Sequence, residues 1–403
     1  MADPRKWGGL AERFGRQPQR KMLALDGGGI RGVLTLCYLK RIESLVGRPL
    51  HQYFDYIAGT STGAIIAAGL ASGMTVDQVI AFYRNCGPEM FQRTRFLARL
   101  RSLYQNGALE QQLKATFGVD TDLRLDGVER PDGTTGSLKT LLLIVARNVT
   151  TDSPWPISAN PVAHYNDPDR PDSNLNMRLW QLVRASTAAP IYFPPEVIDL
   201  QPGNPNRSFV FVDGGVTPYN NPAFLLYRFA TEPAYNLTWE RGEDRLLLIS
   251  VGTGAAADPG ATADDADSNM LSTGVGIPSA LMYGSLVDQD ISCRAVGRCV
   301  YGDVIDRELL DMIPRTGPAV GSFEQRLQRP RTPLSQDLGR QFLYARYNVC
   351  LNRDSLTALG FDKVDSVSVQ KLDNATPENI ETLIAIGKAS AAQIQKDHFG
   401  PFL

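Results

Sequence analysis

The chain has 403 residues, of which 43% are apolar, and a formal net charge of −2. Its apolar content is enough for a large core, and the near-neutral charge without a Lys/Arg block argues against nucleic-acid binding. The five cysteines are scattered and include no C-x-x-C pair, which argues against a disulfide framework or a zinc site and favours the cytoplasm. No apolar run reaches the ~18 residues of a membrane-spanning helix, and the N-terminus lacks the apolar core of a secretory signal.

Composition divides the chain into four segments. Residues 1–20 are basic and contain glycine and proline, and we expect a mobile, solvated arm, with contact to an anionic surface as the alternative. Residues 21–255 carry the patterns of a catalytic α/β core. Residues 256–275 are acidic and poor in apolar residues, so they are predicted to be a mobile linker. Residues 276–403 are predicted to form a mainly helical region packed on the core.

Strand and helix patterns alternate along the chain. Apolar runs predict strands at Met22–Leu25, Thr140–Ala146, Phe209–Val212 and Arg245–Val251, and another near Phe342–Leu351. Helical spacing predicts helices at Val33–Val46, after Gly63, at Thr75–Cys86, Gln105–Phe117 and Leu179–Ala188, and a last one after Thr376-Pro377. This order predicts an α/β fold of three layers, in which helices cover both faces of a central, mostly parallel sheet.

One segment, Phe91–Tyr104, mixes arginines with large apolar residues and contains no acidic residue. Such a strip could face a membrane, or it could be an ordinary half-buried segment with a solvated basic side. If it faces lipid, the contact residues are Arg93, Arg95, Phe96, Arg99 and Arg101.

A glycine-framed turn follows the predicted strand that ends near Ala58. Gly59-Thr60-Ser61-Thr62-Gly63 matches the G-x-S-x-G nucleophile elbow, in which small residues allow a strained strand-to-helix turn that exposes the serine Oγ. The following helix begins at that point, and its N-terminus is positive. Ser61 is therefore the candidate nucleophile.

An earlier turn, Gly27 to Gly32, is ambiguous. It satisfies the G-x-G-x-x-G dinucleotide fingerprint between a strand and a helix. Asp26 counts against a nucleotide, because its carboxylate would lie beside the pyrophosphate. The alternative is that Gly27, Gly28 and Gly29 direct bare backbone N–H groups at an oxyanion, with Arg31 adding positive charge.

A serine nucleophile needs a general base, and the chain has only three histidines, at positions 51, 164 and 398. Each lies in a loop or at the end of a predicted helix, and we expect surface or structural roles for all of them. Asp213 ends an apolar strand and precedes Gly214 and Gly215, which could place its carboxylate near Ser61. Considered alone, Asp-Gly-Gly is better explained as a tight turn.

Three motifs in order, D-G-G-G-x-R-G, G-T-S-T-G and D-G-G, together with the LWQLVRASTAAPIYFPP and ISVGTG stretches, resemble the patatin-like phospholipase family. The resemblance extends over roughly residues 21–399. It implies a Ser61–Asp213 dyad, an oxyanion hole from Gly27, Gly28 and Gly29 with Arg31, and hydrolysis of lipid acyl esters without a metal. Position 215 is glycine where the family pattern has alanine.

The sequence thus predicts a calcium-independent serine hydrolase that cleaves acyl esters of phospholipids and acts peripherally at a membrane. Two other functions remain open, a broad soluble carboxylesterase and a nucleotide-binding or scaffold protein using residues 27–32. Some bacterial members of the family are lipases activated by a signal molecule or by assembly in antiviral defence, and the composition is compatible with such an effector.

Overall fold

The computed structural model describes residues 2–15, 17–91, 107–168, 170–190, 193–255 and 270–403. A nine-stranded sheet runs through the molecule in the order β5-β6-β3-β2-β1-β7-β9-β8, with β4 paired to β3. The strands are β1 (Arg20–Leu25), β2 (Tyr56–Thr60), β3 (Leu141–Asn148), β4 (Ser153–Ser158), β5 (Glu196–Asp199), β6 (Ser208–Asp213), β7 (Leu246–Val251), β8 (Arg298–Tyr301) and β9 (Leu343–Tyr347).

The centre of the sheet is parallel and one side is antiparallel. The pairs β3–β2, β2–β1, β1–β7, β7–β9 and β9–β8 are parallel, whereas β6 runs antiparallel to both β3 and β5. Every residue of β2 and β7 is buried, so both faces of the central sheet are covered. The predicted mostly parallel α/β fold is confirmed.

Helices precede, connect and follow the strands. They are α1 (Pro4–Trp7), α2 (Gly32–Val46), α3 (Leu50–Tyr53), α4 (Thr62–Ala71), α5 (Val76–Phe91), α6 (Gly107–Phe117), α7 (Leu179–Ser186), α8 (Ala223–Thr231), α9 (Met270–Val296), α10 (Phe323–Leu327), α11 (Arg353–Ala358), α12 (Ser366–Gln370) and α13 (Pro377–Ala391). The hydroxyl of Thr376 caps α13 by accepting the N–H of Asn379, as its Thr-Pro start predicts. No helix in the described residues is long and apolar enough to cross a membrane.

Three strands are absent from the sequence prediction. β4 contains two prolines, β5 is four residues long at the sheet edge, and β8 is a four-residue strand outside β9. Short or proline-containing edge strands lack the long apolar run that indicates a buried strand. The C-terminal region therefore packs helices on the core and also adds β8 and β9 to its sheet.

The N-terminal segment, predicted as a mobile arm, is packed against the domain where the structure describes it. Trp7 and Phe14 are buried and stack with ring centroids 4.8 Å apart. Arg13 donates to the Asp55 carboxylate at 3.1 Å and to the carbonyl of Phe54 at 2.8 Å. These contacts join the segment to the start of β2.

Two predictions fall on residues that the structure does not describe. The arginines of the proposed membrane strip lie within residues 92–106, and most of the predicted linker lies within residues 256–269. The last predicted linker residues, 270–275, form the first turns of α9.

Candidate active site

The strand-to-helix turn at Ser61 has the geometry that its glycines predict. Ser61 lies between β2 and α4 with φ of 54°, a left-handed conformation that is uncommon outside glycine. A Cβ on Gly59 would lie 2.1 Å from the carbonyl oxygen of Gly63, and a Cβ on Gly63 would lie 2.3 Å from that of Leu25. Only glycine fits these two positions, and the turn leaves Ser61 partly exposed at the end of the sheet.

Ser61 and Asp213 are in direct contact. The Ser61 Oγ donates to the Asp213 Oδ2 at 2.6 Å, and the Asp213 Oδ1 accepts the N–H of Gly215 at 2.6 Å. Asp213 pairs with Ala146 of β3, and the adjacent Val145 pairs with Thr60 of β2. β6 runs antiparallel to β3, and this register of the two strands brings Asp213 beside Ser61 at the carboxyl edge of the parallel strands.

Asp213 is buried, with 5% of the residue exposed. Burial raises its pKa from 3.8 to about 6, while the hydrogen bonds from Ser61 and Gly215 oppose the rise. A carboxylate with this raised proton affinity is a better general base for a hydroxyl than an aspartate in water.

Ser186, at the end of α7, holds the nucleophile's backbone. Its Oγ accepts the N–H of Ser61 at 2.9 Å and donates to the carbonyl of Val145 at 2.6 Å. Two residues further on, the carbonyl of Ala188 accepts the N–H of Asp213 at 3.0 Å. The LWQLVRASTAAP stretch therefore contacts both members of the pair. Sequence reasoning used this stretch for a predicted helix and for the family resemblance and did not identify Ser186.

The glycine loop lies next to this pair. The Gly27 N–H, predicted as an oxyanion donor, already donates to the carbonyl of Asn220 at 3.0 Å. Within the described residues, the N–H groups of Gly28 and Gly29 have no acceptor, so these two remain as donors. Gly28 is packed against Thr253, whose hydroxyl donates to the carbonyl of Gly27 at 2.9 Å.

Asn220 is a second residue that sequence reasoning missed. Its side chain is buried, and neither polar atom has a partner in the described part of the chain. A Cβ on Gly27 would lie 2.2 Å from the Asn220 Oδ1 and 3.2 Å from the Ser61 Cβ. Asn220 thus fixes Gly27 through its backbone and places its amide on the Ser61 side of the loop.

Arg31 follows the glycine loop and is 6% exposed. One Nη donates to the carbonyl of Gln370 at 3.3 Å, and the Nε has no partner in the described residues. Burial lowers the pKa of Arg31 to about 10, so it keeps its charge at neutral pH. A buried cation with an unused donor next to Gly29 adds positive potential to the loop.

The histidines lie elsewhere. His398 is buried and its Nδ1 is 3.1 Å from the hydroxyl of Tyr347, while His164 packs edge-on against Tyr165. Nowhere in the described residues does a histidine hydrogen-bond to Ser61 or Asp213. The same residues contain no group of three or more His, Cys, Asp or Glu side chains that could hold a metal ion.

A hydrogen-bonded serine–aspartate pair beside free backbone donors and an arginine defines a serine hydrolase type of site on an α/β sheet. The family model described as patatin-like phospholipase matches residues 23–227. The chain belongs to the patatin-like phospholipase family. This result favours the oxyanion interpretation of residues 27–32 over nucleotide binding.

Three curated proteins illustrate the similarity. A cUMP-AMP-activated phospholipase of Escherichia coli is 30% identical over 250 residues, which are 62% of this chain and 69% of that protein. A cGAMP-activated phospholipase of Pseudomonas aeruginosa is 30% identical over 61% of this chain and 67% of its own length. The human calcium-independent phospholipase A2-gamma is 31% identical over 51% of this chain, but the match spans only 25% of that longer protein. This chain is an ester hydrolase of the phospholipase A type.

Proposed function

We propose that this protein hydrolyses acyl esters of membrane phospholipids through a Ser61–Asp213 dyad and an acyl-enzyme. The observation that carries the proposal is the 2.6 Å hydrogen bond from the Ser61 Oγ to the buried Asp213 Oδ2. Nucleophile and base lie within hydrogen-bonding distance, and the base is held by a further bond from Gly215.

In acylation, the Ser61 Oγ attacks the ester carbonyl carbon and its proton passes to the Asp213 Oδ2. The negative charge that develops on the carbonyl oxygen is stabilised by the N–H groups of Gly28 and Gly29 and by the charge of Arg31. When this intermediate collapses, the bond to the leaving alcohol breaks, and Asp213 returns the proton to the alcohol oxygen.

Deacylation repeats these steps with water. Asp213, ionised again, takes a proton from a water molecule whose oxygen attacks the acyl carbonyl on Ser61. Collapse releases the fatty acid and returns the proton to Ser61. Because Asp213 serves as base and then acid in both halves, its pKa near 6 suits both directions of proton transfer at neutral pH.

The backbone donors and Arg31 also support a reaction that does not need calcium. Arg31 is buried two residues after Gly29 and remains charged, so it would supply positive charge to the proposed oxyanion hole. We expect hydrolysis to continue in the presence of a chelator. A loss of activity in EDTA that is restored by calcium would contradict this expectation.

Two relatives are named for activation by a cyclic nucleotide. We extend this to a regulated effector, in which hydrolysis by this cytoplasmic protein at the membrane surface depends on such a ligand. The alternative is a soluble carboxylesterase that is active without a ligand or a lipid surface.

The test is incubation of the purified protein with mixed phospholipid liposomes, with and without cUMP-AMP or cGAMP, and mass spectrometry of the products. We expect free fatty acid and lysophospholipid from the wild type and none from Ser61→Ala or Asp213→Asn. Ser72→Ala is the matched control, because the Ser72 Oγ is buried without a partner in the described residues. The double variant Ser61→Ala/Asp213→Asn should lose no more activity than either single variant, because nucleophile and base act as a unit.

Three outcomes would contradict parts of the proposal. Lipid hydrolysis that persists in Asp213→Asn and is lost in His398→Ala would replace the dyad with a histidine-containing triad. Cleavage of soluble aryl esters but not of liposomes under any condition would favour the carboxylesterase. Activity that is equal with and without the cyclic dinucleotides would remove regulation by these ligands.

A further inference from the structure

An ion pair joins the glycine loop to the C-terminal region. Asp26 directly follows β1, lies immediately before Gly27 and is fully buried. Its carboxylate accepts two hydrogen bonds from Arg346 of β9, one of them at 2.8 Å. Arg346 is also buried and donates to the hydroxyl of Ser250 in β7 at 2.8 Å. Arg346 of β9 therefore links the start of the glycine loop after β1 to the adjacent strand β7.

The charge of Asp26 has the wrong sign for its position. The donors of the proposed oxyanion hole, Gly28 and Gly29, begin two residues after it. A buried carboxylate without a counter-ion at this place would repel the negative charge that develops on the substrate oxygen, and low local polarity strengthens such repulsion. It would also attract the charge of Arg31, which interacts with Asp26 electrostatically.

The hydrogen bonds from Arg346 reduce both the repulsion of the oxyanion by Asp26 and the attraction between Asp26 and Arg31. Its guanidinium contacts both carboxylate oxygens of Asp26, the fork geometry that neutralises a carboxylate most completely. Burial raises the pKa of the Asp26 carboxyl, and the charge of Arg346 opposes that rise. The pairing leaves the charge of Arg31 uncompensated and therefore available to the reaction.

We propose that Arg346 is a positioning residue for catalysis, which neutralises Asp26 and thereby lets Gly28, Gly29 and Arg31 stabilise the oxyanion. Arg346 lies outside residues 23–227, the segment that matches the family model. The catalytic unit of this protein therefore includes β9. A chain that ended after residue 227 would lack Arg346, the counter-ion of Asp26 beside the glycine loop. This inference rests on the proposed function.

A buried ion pair could instead serve stability alone, since removing one partner leaves an unpaired buried charge. Arg298 provides a matched control for that possibility. It is buried in β8 and bonds to Glu243 and to the carbonyls of Thr332, Pro333 and Gln336, and none of these partners belongs to the glycine loop. Arg298→Met should destabilise the fold without affecting the oxyanion.

The experiment compares wild type, Arg346→Met, Asp26→Asn/Arg346→Met and Arg298→Met. It measures kcat and KM on a soluble aryl ester, the inhibition constant of a trifluoromethyl ketone, and the melting temperature. The ketone forms an oxyanion on Ser61, so its affinity reports the oxyanion hole apart from overall folding. Activity is determined at a temperature where each variant is folded.

For Arg346→Met we expect kcat to fall on the order of tenfold to a hundredfold and ketone affinity to fall in parallel, with KM unchanged. The double variant, which has no uncompensated carboxylate, should recover most of both losses. Arg298→Met should lower the melting temperature and leave kcat and ketone affinity as in the wild type.

Wild-type kcat and ketone affinity in folded Arg346→Met would overturn the inference, as would equal losses in Arg298→Met. If Arg346→Met does not fold, the double variant decides, because activity more than about a hundredfold below wild type would then count against charge neutralisation. Failure of the proposed function is distinguishable, since the wild type itself would then neither hydrolyse the ester nor bind the ketone through Ser61.

Discussion

The hydroxyl of Ser186 accepts a hydrogen bond from the backbone N–H of Ser61 and donates one to the carbonyl of Val145. One hydroxyl thus joins the nucleophile elbow, α7 and β3. The nucleophile has a left-handed backbone conformation, which persists only where the surrounding structure holds it. The hydroxyl of Ser186 is one of the groups that hold it.

Ser186→Ala should slow the reaction of Ser61 with a fluorophosphonate at least tenfold, because a buried donor and a buried acceptor lose their partner. Each unsatisfied group costs about 1–3 kcal/mol, so the melting temperature should also fall. The Ser72→Ala variant, which loses no hydrogen bond within the described residues, should label at the wild-type rate. Wild-type labelling of Ser186→Ala would show that the elbow holds Ser61 without this hydroxyl.

The raised pKa of Asp213 predicts an acid limb in the pH profile. Below a pH of about 6 the carboxyl is protonated and cannot accept the Ser61 proton, so kcat/KM should fall tenfold per pH unit. Above that pH the base is ionised and the profile should be level until another group titrates. The measurement is kcat/KM on a soluble ester from pH 4.5 to 9, with a melting curve at each pH. A midpoint near 4 would mean that Asp213 is not desolvated in solution.

The same shift predicts that Asp213→Asn stabilises the fold. Between pH 3.8 and about 6 the unfolded chain has lost this proton while the folded chain keeps it, so the stability contributed by Asp213 falls as pH rises through this window. At pH 8 the ionised carboxylate costs up to about 3 kcal/mol, which Asn removes. The gain should be smaller at pH 5.

Urea unfolding at pH 5 and pH 8 measures this gain. The control is Asp120→Asn, whose side chain is 86% exposed, and we expect a change within about 0.5 kcal/mol at both pH values. If Asp213→Asn is no more stable than the wild type at pH 8, the ionised carboxylate is not costly where it lies.

Gly28→Ala should abolish most activity. The new Cβ would lie 2.0 Å from the Oγ1 of Thr253 and 2.6 Å from its Cβ. Because both distances are shorter than a van der Waals contact, the Gly28 loop or Thr253, which follows β7, must shift. Loss of one aligned donor costs about 2.7–4 kcal/mol, or roughly 100- to 1,000-fold in kcat. Gly284→Ala is the control and should be as active as the wild type, because no atom of the described residues lies within 4 Å of the new Cβ.

Reversal of Arg95 and Arg99 to Glu tests the membrane strip predicted from sequence. Each basic residue near an anionic surface contributes about 1 kcal/mol, so vesicle binding should weaken by well over tenfold while soluble-ester turnover is unchanged. Arg307 and Arg353, both exposed, provide a control reversal with the same change in net charge. Vesicle sedimentation at low and high salt measures the effect. Equal vesicle binding by the Arg95/Arg99 and Arg307/Arg353 reversals would contradict membrane contact. So would a lower melting temperature of the Arg95/Arg99 reversal together with loss of both vesicle binding and ester turnover.

Much of this protein was predictable from local patterns. The elbow, the glycine loop and the Asp-Gly-Gly turn each depend on a few adjacent residues whose conformational needs are visible in the sequence, and so does the start of α13. Apolar runs and helical spacing likewise predicted the central strands and the α/β class, because burial on both faces requires continuous apolar residues. Three such motifs in order were enough for the family, which the comparison confirmed.

Only the tertiary structure decided which distant groups meet. β6 lies antiparallel to β3, and its register, which no local pattern specifies, brings Asp213 to Ser61. Ser186, Asn220 and Arg346 contact the site from segments far apart in the chain, and their residue types are common at positions without function. The sequence predicted the Gly27 N–H as an oxyanion donor, and only the structure shows that this N–H already donates to the carbonyl of Asn220. Hydrogen bonds and buried charges of this kind depend on how strands and loops pack, and the linear order of residues does not record that.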